Sequence, residues 1–151
     1  MVRIKRSDSI VLLTVGMSLR PQPRVEMATD QPERFRRVEL GVVLPLDWPD
    51  EAIMRIASFV SAQSSLPWSQ YTWLGPGHTI RCDSWRNRSF EFALLQHGHP
   101  AVPTPSLGLQ FGDPVCILWA VPISAAEQQT AMYHGSKRLV EVLPLERWKE
   151  A

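Results

Sequence analysis

Hydrophobic residues recur along this chain with two different periods, and each period predicts a type of secondary structure. Residues 10–15 form a short β-branched run that ends at Gly16, which predicts a buried strand. Residues 36–44 and 88–95 alternate between apolar and other side chains, as strands with two unlike faces do. Residues 115–121 are apolar at every position, which predicts a central strand covered on both faces.

A helix is predicted between Pro45 and about Ala62, because four apolar residues there share one helical face. These residues are Ile53, Ile56, Ala57 and Val60. We expect Asp47 to cap this helix by accepting a hydrogen bond from the amide of Asp50, with Pro49 in the first turn.

The second predicted helix has the clearest local signal, since Ser124 and Glu127 have the spacing of a capping box. It should run to Tyr133 and end near Gly135. A further short helix is expected from Ser136, which we predict to be its cap. Its apolar side consists of Leu139, Val140 and Leu143.

Proline-rich stretches separate these elements and predict loops at residues 20–32 and 97–114. Residues 66–77 combine aromatic residues with proline and glycine, which predicts an aromatic loop or a short edge strand leading into residues 78–80. Strands and helices do not alternate strictly along the chain. The predicted class is therefore α+β, with a mixed, mainly antiparallel sheet and helices packed against it.

Composition narrows the class of protein without naming a function. The chain has 151 residues, 44% of them hydrophobic, which suits a single globular domain over residues 1–151. The formal net charge is +1, from 16 basic and 15 acidic residues. Such a balance provides no long-range field for a phosphate backbone, so we expect no nucleic-acid partner.

The two cysteines and the apolar runs bear on the compartment. Cys82 and Cys116 lie in apolar stretches and are predicted to be buried free thiols of a reducing compartment. No apolar run approaches the ~20 residues of a transmembrane helix, and Asp8 interrupts the apolar run that a signal peptide would need. We therefore predict a cytoplasmic protein without a membrane partner.

Motifs for phosphate binding, serine hydrolysis and zinc binding do not occur in the sequence. The nearest approach to a metal site is the pair His97 and His99, which would point the same way on a strand. Glu91 or Cys82 would complete a ligand set. The alternative is a pair of solvated histidines beside a proline-rich loop, and we expect no metal and no cofactor.

Glu39 and His78 form the second candidate pair. A carboxylate on a largely apolar strand is costly unless it is paired, so Glu39 needs a partner such as Arg37, His78 or backbone amides. One interpretation makes Glu39 a general base and His78 a general acid. The other makes the two residues a polar structural anchor, which we prefer because no nucleophile accompanies them.

Tryptophans supply the candidate contact residues. Trp119 is predicted to be core, whereas Trp48, Trp68, Trp73 and Trp85 lie in loops or at element ends, where aromatic side chains often anchor protein contacts. Packing is the alternative for each of them. The basic run at residues 34–37 is too short for nucleic acid and is interpreted as a solvated strand entrance.

Taken in order, several segments resemble the Suppressor of fused family in its bacterial single-domain form. They are residues 13–18 (LTVGMS), 37–40 (RVEL) with Leu44, Pro45 and Trp48 downstream, 77–80 (GHTI), and 121–124 (VPIS) with Glu127 and Gly135. Their order and approximate spacing hold from about Ile10 to Leu143. The chain departs from the family in a shorter N-terminal segment and in Gln22, where relatives often have methionine.

The resemblance implies binding rather than catalysis. Animal members of the family restrain a transcription factor by clamping a peptide strand between two domains. Bacterial relatives resemble predicted immunity proteins of polymorphic toxin systems, which neutralise a toxin domain by binding it. This chain corresponds to one domain, so the two-domain clamp is not carried over, whereas strand addition at a sheet edge remains possible.

The sequence therefore predicts an α+β domain that neutralises or chaperones a partner protein, with Trp48, Trp68 and Trp73 as candidate contact residues. Glu39 and His78 are predicted to shape the fold. The alternatives are a small hydrolase-like enzyme that uses Glu39 and His78, and a metal-binding protein that uses His97 and His99.

Overall fold

The computed structural model describes residues 1–103 and 109–151 of the chain. The strands are β1 (Val2–Lys5), β2 (Ser9–Leu13), β3 (Arg37–Pro45), β4 (Thr79–Arg81), β5 (Phe92–His97), β6 (Leu109–Gln110) and β7 (Asp113–Ile123). The helices are α1 (Val25–Ala28), α2 (Pro32–Phe35), α3 (Asp50–Gln63), α4 (Leu66–Ser69), α5 (Ala125–His134) and α6 (Ser136–Val142). Short 3-10 turns lie at Met17–Leu19 and Arg147–Glu150.

One sheet organises the fold, with the strand order β1-β2-β3-β7-β5-β4 and with β6 paired to the start of β7. Strands β3 and β7 are parallel, and the other pairs of described strands are antiparallel. The predicted α+β class with a mixed, mainly antiparallel sheet is confirmed. Strands β1 and β4 form the two edges of this sheet.

Both faces of the sheet are covered. Alternation along β3 places Val38, Leu40, Val42 and Leu44 in the cluster that α3 joins through Ile53, Ile56 and Val60. The opposite face carries two smaller clusters, in which α5 and α6 pack on the β5 end and Trp148 packs beside Trp119. Because β7 is central and buried on both faces, it reads as a continuous apolar run in the sequence.

The strand predictions are confirmed in position and corrected in extent. Strand β7 begins at Asp113, two residues before the predicted start, because its first residues pair with β6. Strand β5 begins at Phe92 instead of residue 88, since a turn closed by the Phe90 amide and the Asn87 carbonyl occupies the preceding residues. Strand β1 is missed because it has no buried face that would give an apolar alternation.

The capping box of α5 is confirmed. The amide of Glu127 donates to the Ser124 hydroxyl at 3.3 Å, and the Glu127 carboxylate accepts from the Ser124 amide at 2.8 Å. The other two cap predictions are wrong. Helix α3 has Pro49 at its N-cap without a side-chain cap, because Asp47 turns towards Arg86, and α6 has Gly135 at its N-cap.

The predicted loops contain short elements. Helix α1 and the start of α2 lie within or at the end of residues 20–32, and each helix has four residues, too few for a helical period to appear in the sequence. Residues 66–77 begin with the short helix α4, and residues 97–114 include β6 and a bridge between His99 and Val102. The part of that last loop at residues 104–108 lies outside the described residues.

Cys82 and Cys116 are buried free thiols, as predicted. Burial raises the pKa of Cys82 to about 12 and that of Cys116 to about 11, so both are protonated thiols at neutral pH. In the described part of the chain, no helix has the length and apolar character needed to cross a membrane.

Candidate functional site

Glu39 holds the segment between β2 and the first 3-10 turn against β3. Its side chain is buried, with 4% exposed, and its two oxygens accept hydrogen bonds from the hydroxyls of Thr14 and Ser18 at 2.6 and 2.7 Å. The backbone amides of Gly16 and Ser18 donate to the same carboxylate at 2.9 and 3.0 Å. Such a set of donors offsets the cost of burying the charge without a cation.

Arg37, two residues before Glu39 on β3, reinforces the same turn. Its guanidinium donates to the carbonyls of Ser18 and Leu19, both at 3.0 Å, and pairs with Asp113 at 3.0 Å. The side chain is 9% exposed, so the interpretation of this basic run as a solvated strand entrance is wrong for Arg37. The buried carbonyl of Ser18 requires a donor, and the guanidinium supplies it.

Glu39 and His78 are not brought together. Glu39 lies on β3, whereas His78 directly precedes β4, and strands β7 and β5 lie between them. At about 4.8 Å per strand, the three strand spacings alone separate the two positions by roughly 14 Å. A general acid and base acting on one bond would have to approach the same atoms, so these two residues do not form the pair that the enzyme alternative needs.

His97 and His99 are separated as well. His97 is exposed at the end of β5 and meets the ring of Phe35 at 6.3 Å, whereas His99 is buried between Trp119 and Trp148. The intervening Gly98 has a φ of 109°, which ends the strand alternation on which the metal alternative depends. Among the described residues, no group of three or more histidine, cysteine or acidic side chains is placed to hold a metal ion.

An open groove of about 580 Å³ runs beside the edge strand β4. One wall is the loop that follows α4, the floor is residues 77–81, and the other wall is α5. The lining side chains include Leu66, Thr72, Trp73, Ile80, Arg81 and Met132. The groove combines apolar walls with the backbone of an edge strand, as peptide-binding sites do.

Trp73 is the aromatic centre of this groove. Its ring meets His78 edge-on at 4.7 Å and Phe35 at 6.3 Å, and it remains half-buried. Gly75 makes this packing possible, since a Cβ there would lie 2.2 Å from the Trp73 ring. Burial lowers the pKa of His78, and a hydrogen bond with the backbone of Trp73 opposes that shift, so the imidazole beside the indole is neutral at pH 7.

The free edge of β4 faces outward from the sheet. The Leu95 amide donates to the His78 carbonyl, and the Cys82 amide donates to the Glu91 carbonyl, both at 2.8 Å. Because backbone direction alternates along an antiparallel strand, residues 78, 80 and 82 face β5. The N–H and C=O groups of Thr79 and Arg81 therefore point away from β5.

The predicted contact tryptophans occupy different environments. Trp48 and Trp85 are buried in the core on the α3 face, with 5% and 1% of their surfaces exposed. Trp68 is half-buried, and its indole N–H donates to the Pro21 carbonyl at 3.1 Å. Of the three candidate contact residues, Trp68 and Trp73 present surface to a partner, and Trp48 does not.

Gln22 connects the two loops beside the groove, although in the sequence it stands out only as a departure from the family. It is 4% exposed; its carboxamide oxygen accepts from the Leu74 amide at 2.8 Å. Its carboxamide nitrogen donates to the carbonyls of Leu74 and Phe35 at 2.9 and 2.8 Å. A contact across 52 residues leaves no periodic pattern in the sequence. The sequence signal for a buried Gln22 is its position as a polar residue between two prolines.

An open groove beside an edge strand is a feature typical of a peptide-binding domain. The comparison with protein families agrees with this class. The model of the Suppressor of fused protein family (SUFU) matches residues 1–149, and the chain belongs to that family. No curated protein and no solved structure matched the chain. Membership of the family supports a non-catalytic, protein-binding role.

Proposed function

We propose that this domain binds and neutralises a partner protein, in the manner of an immunity protein that inactivates a bacterial toxin domain. Family membership supports the protein-binding part of this proposal. The toxin partner and the bacterial setting are inferred from the family's bacterial relatives, which resemble predicted immunity proteins.

The groove beside β4 is the observation that carries the proposal. Thr79 and Arg81 direct their backbone N–H and C=O groups out of the sheet, at an edge that pairs with no described strand, so an extended segment of the partner could extend the sheet by one strand. Trp73 lines the groove beside that edge as an aromatic anchor, a residue type that is frequent among those that dominate binding energy, and Trp68 lies in α4, which precedes the groove loop. Trp48 is left out of this surface because it is buried.

A proline at position 79 tests the edge directly. The Thr79 amide faces away from β5, so Thr79→Pro removes an outward donor without removing a hydrogen bond of the β4–β5 ladder. Thr79→Val keeps that amide and serves as the matched control. We expect a tagged wild-type chain and Thr79→Val to capture one stoichiometric protein from the native lysate, and Thr79→Pro to lose it.

Co-expression then tests neutralisation. The captured protein should inhibit growth when it is expressed alone, and growth should recover when the wild-type chain is co-expressed but not with Thr79→Pro. A captured protein that has no effect on growth would contradict the immunity role. Equal capture by Thr79→Pro and the wild type would contradict binding at β4.

The two half-buried tryptophans provide a further test of partner binding. We expect Trp68→Ala and Trp73→Ala to weaken capture while the thermal midpoint of unfolding changes little, because both rings are only half-buried. A drop in the thermal midpoint large enough to explain the lost binding would instead assign both side chains to the core.

A further inference from the structure

We propose that a second surface next to the groove binds an acidic segment of the partner protein. The surface consists of Arg20, Arg24, Trp68 and Tyr71, and we call it the arginine–aromatic surface. This inference rests on the proposed function, since it names the chemistry of the partner. It concerns side chains outside the sheet edge and can therefore be tested separately from strand addition.

Each arginine of this surface lies over an aromatic ring. The guanidinium carbon of Arg20 is 5.4 Å from the ring centroid of Trp68, and that of Arg24 is 5.2 Å from the centroid of Tyr71. Arg20 and Arg24 are exposed, and Tyr71 is 65% exposed. Stacking leaves the edge of a planar guanidinium, with its N–H donors, directed to solvent or to a partner.

Neither arginine has a carboxylate partner within the described part of the chain. Arg37 differs from them in this respect. Its guanidinium also stacks on an aromatic ring, that of Phe111 at 4.9 Å, but it is neutralised by Asp113. Two stacked and exposed guanidinium groups without a counter-charge form a site that is complementary to carboxylates.

The backbone of this surface is strained and held in place. Arg24 and Tyr71 have φ values of 63° and 48°, in the left-handed region that disfavours residues with a side chain. Gln22 joins the loop that contains Arg24 to the loop that contains Tyr71 through its hydrogen bonds to Leu74. Strain that is retained and supported by a buried connection is a feature of binding sites, where it fixes side chains before the partner arrives.

An acidic polypeptide fits these features better than a nucleic acid does. The whole chain has a formal charge of only +1, so it lacks the broad positive field that concentrates phosphate backbones. Arginine, tryptophan and tyrosine are also the residues that most often dominate protein–protein binding energy. Carboxylates presented by an extended segment could pair with Arg20 and Arg24 while its backbone continues towards β4.

The test uses a capped octaglutamate peptide as the probe and a capped octaglutamine peptide as its neutral control. Binding to the full, ¹⁵N-labelled chain is followed through the indole resonance of Trp68, at peptide concentrations up to about 1 mM. We expect saturable shifts with octaglutamate and none with octaglutamine. Salt at about 1 M, where the Debye length is about 3 Å, should abolish them.

Charge-matched variants locate the site. Arg20→Gln/Arg24→Gln should weaken octaglutamate binding by about tenfold or more, whereas Lys5→Gln/Arg138→Gln removes the same charge elsewhere and should preserve it. Tyr71→Gly provides a second variant. It relieves the positive φ and should keep or raise the thermal midpoint, yet weaken the peptide by removing the ring beneath Arg24.

Three results would overturn the inference: no shift with octaglutamate, equal weakening by the two double variants, or a decathymidine oligonucleotide that displaces the peptide. Failure of the proposed function has a different signature. Thr79→Pro should leave octaglutamate binding unchanged. If Thr79→Pro also captured the partner as well as the wild type does, strand addition at β4 would be contradicted and the arginine–aromatic surface would not.

Discussion

At the scale of single residues, the hydrogen bonds of Glu39 explain how a charged side chain can occupy a buried strand. Its carboxylate accepts hydrogen bonds from hydroxyl and amide groups of Thr14, Gly16 and Ser18, and these donors offset the cost of burying the negative charge. In Glu39→Gln, the carboxamide N–H₂ would face some of those donors. We expect a loss of about 1–3 kcal/mol in the free energy of unfolding, measured by urea denaturation.

The exposed Glu141→Gln is the matched control for this change and should leave the free energy of unfolding within about 0.5 kcal/mol of the wild type. If Glu39→Gln were equally harmless, the carboxylate would not be what holds the Thr14–Ser18 turn. A retained fold with lost partner binding would point to a role beyond structure.

His99 predicts the response of the fold to acid. Burial between aromatic rings lowers its pKa from 6.5 to about 4, so the neutral imidazole is favoured in the folded chain. The unfolded chain takes up the proton first as pH falls, so stability is lost between about pH 6.5 and pH 4. This single residue should remove about 2 kcal/mol of stability between about pH 8 and about pH 5.

His99→Asn keeps an acceptor for the Ala101 amide and does not titrate. Whatever its stability at pH 7, its urea midpoint should fall less than that of the wild type when the pH is lowered to about 5. His134→Asn, at an exposed position, should follow the wild type. Parallel pH dependence of all three chains would show that another group governs the acid response.

At the scale of elements, the contact between Gly41 and Trp119 fixes how the two central strands pack. The two residues are direct partners in the β3–β7 register, and a Cβ on Gly41 would lie 2.6 Å from the Trp119 ring. Gly41→Ala should therefore cost about 1–3 kcal/mol of stability through overpacking. In a Trp119→Phe background the same substitution should cost less, and a double-mutant cycle measures the difference.

Elements whose signal is local could be predicted, and those that depend on distant contacts could not. The capping box of α5 needs two residues three positions apart, and the central place of β7 is indicated by residues 115–121, which are apolar at every position. Asp47 has the right sequence position for a cap, yet its ion pair with Arg86 depends on the fold. The separation of His97 from His99 depends likewise on the positive φ of Gly98.

The candidate site likewise has a part that the sequence predicts and a part that it does not. The aromatic loop with Trp68 and Trp73 could be predicted from composition, since aromatic residues between prolines and glycines favour a structured surface loop. The groove could not, because it needs the β4 edge, the α5 wall and the connection through Gln22 at once. These contacts join residues far apart in sequence, and the hydrophobic periodicity of the sequence does not indicate them.

At the scale of the whole molecule, stability should be distributed unevenly between the sheet centre and the β4 edge. The two thiols report on these regions, because Cys116 lies in central β7 and Cys82 directly follows β4. Segments that bind partners are usually drawn from the less stable parts of a fold. We therefore expect the thiol at the edge to become accessible through a local opening, and the central thiol through global unfolding.

Single-thiol variants measure this difference. Cys116→Ala retains Cys82, and Cys82→Ala retains the central thiol; each is reacted with an aromatic disulfide reagent at increasing urea. Static exposure is 0% for Cys82 and 7% for Cys116, and both thiols are protonated at neutral pH, so faster reaction at Cys82 can arise only from opening. Its rate should also depend less on urea, since a local opening exposes less surface. Equal rates with equal urea dependence would mean that the β4 edge opens only with the entire domain, and that a partner strand must bind to an edge already fully ordered.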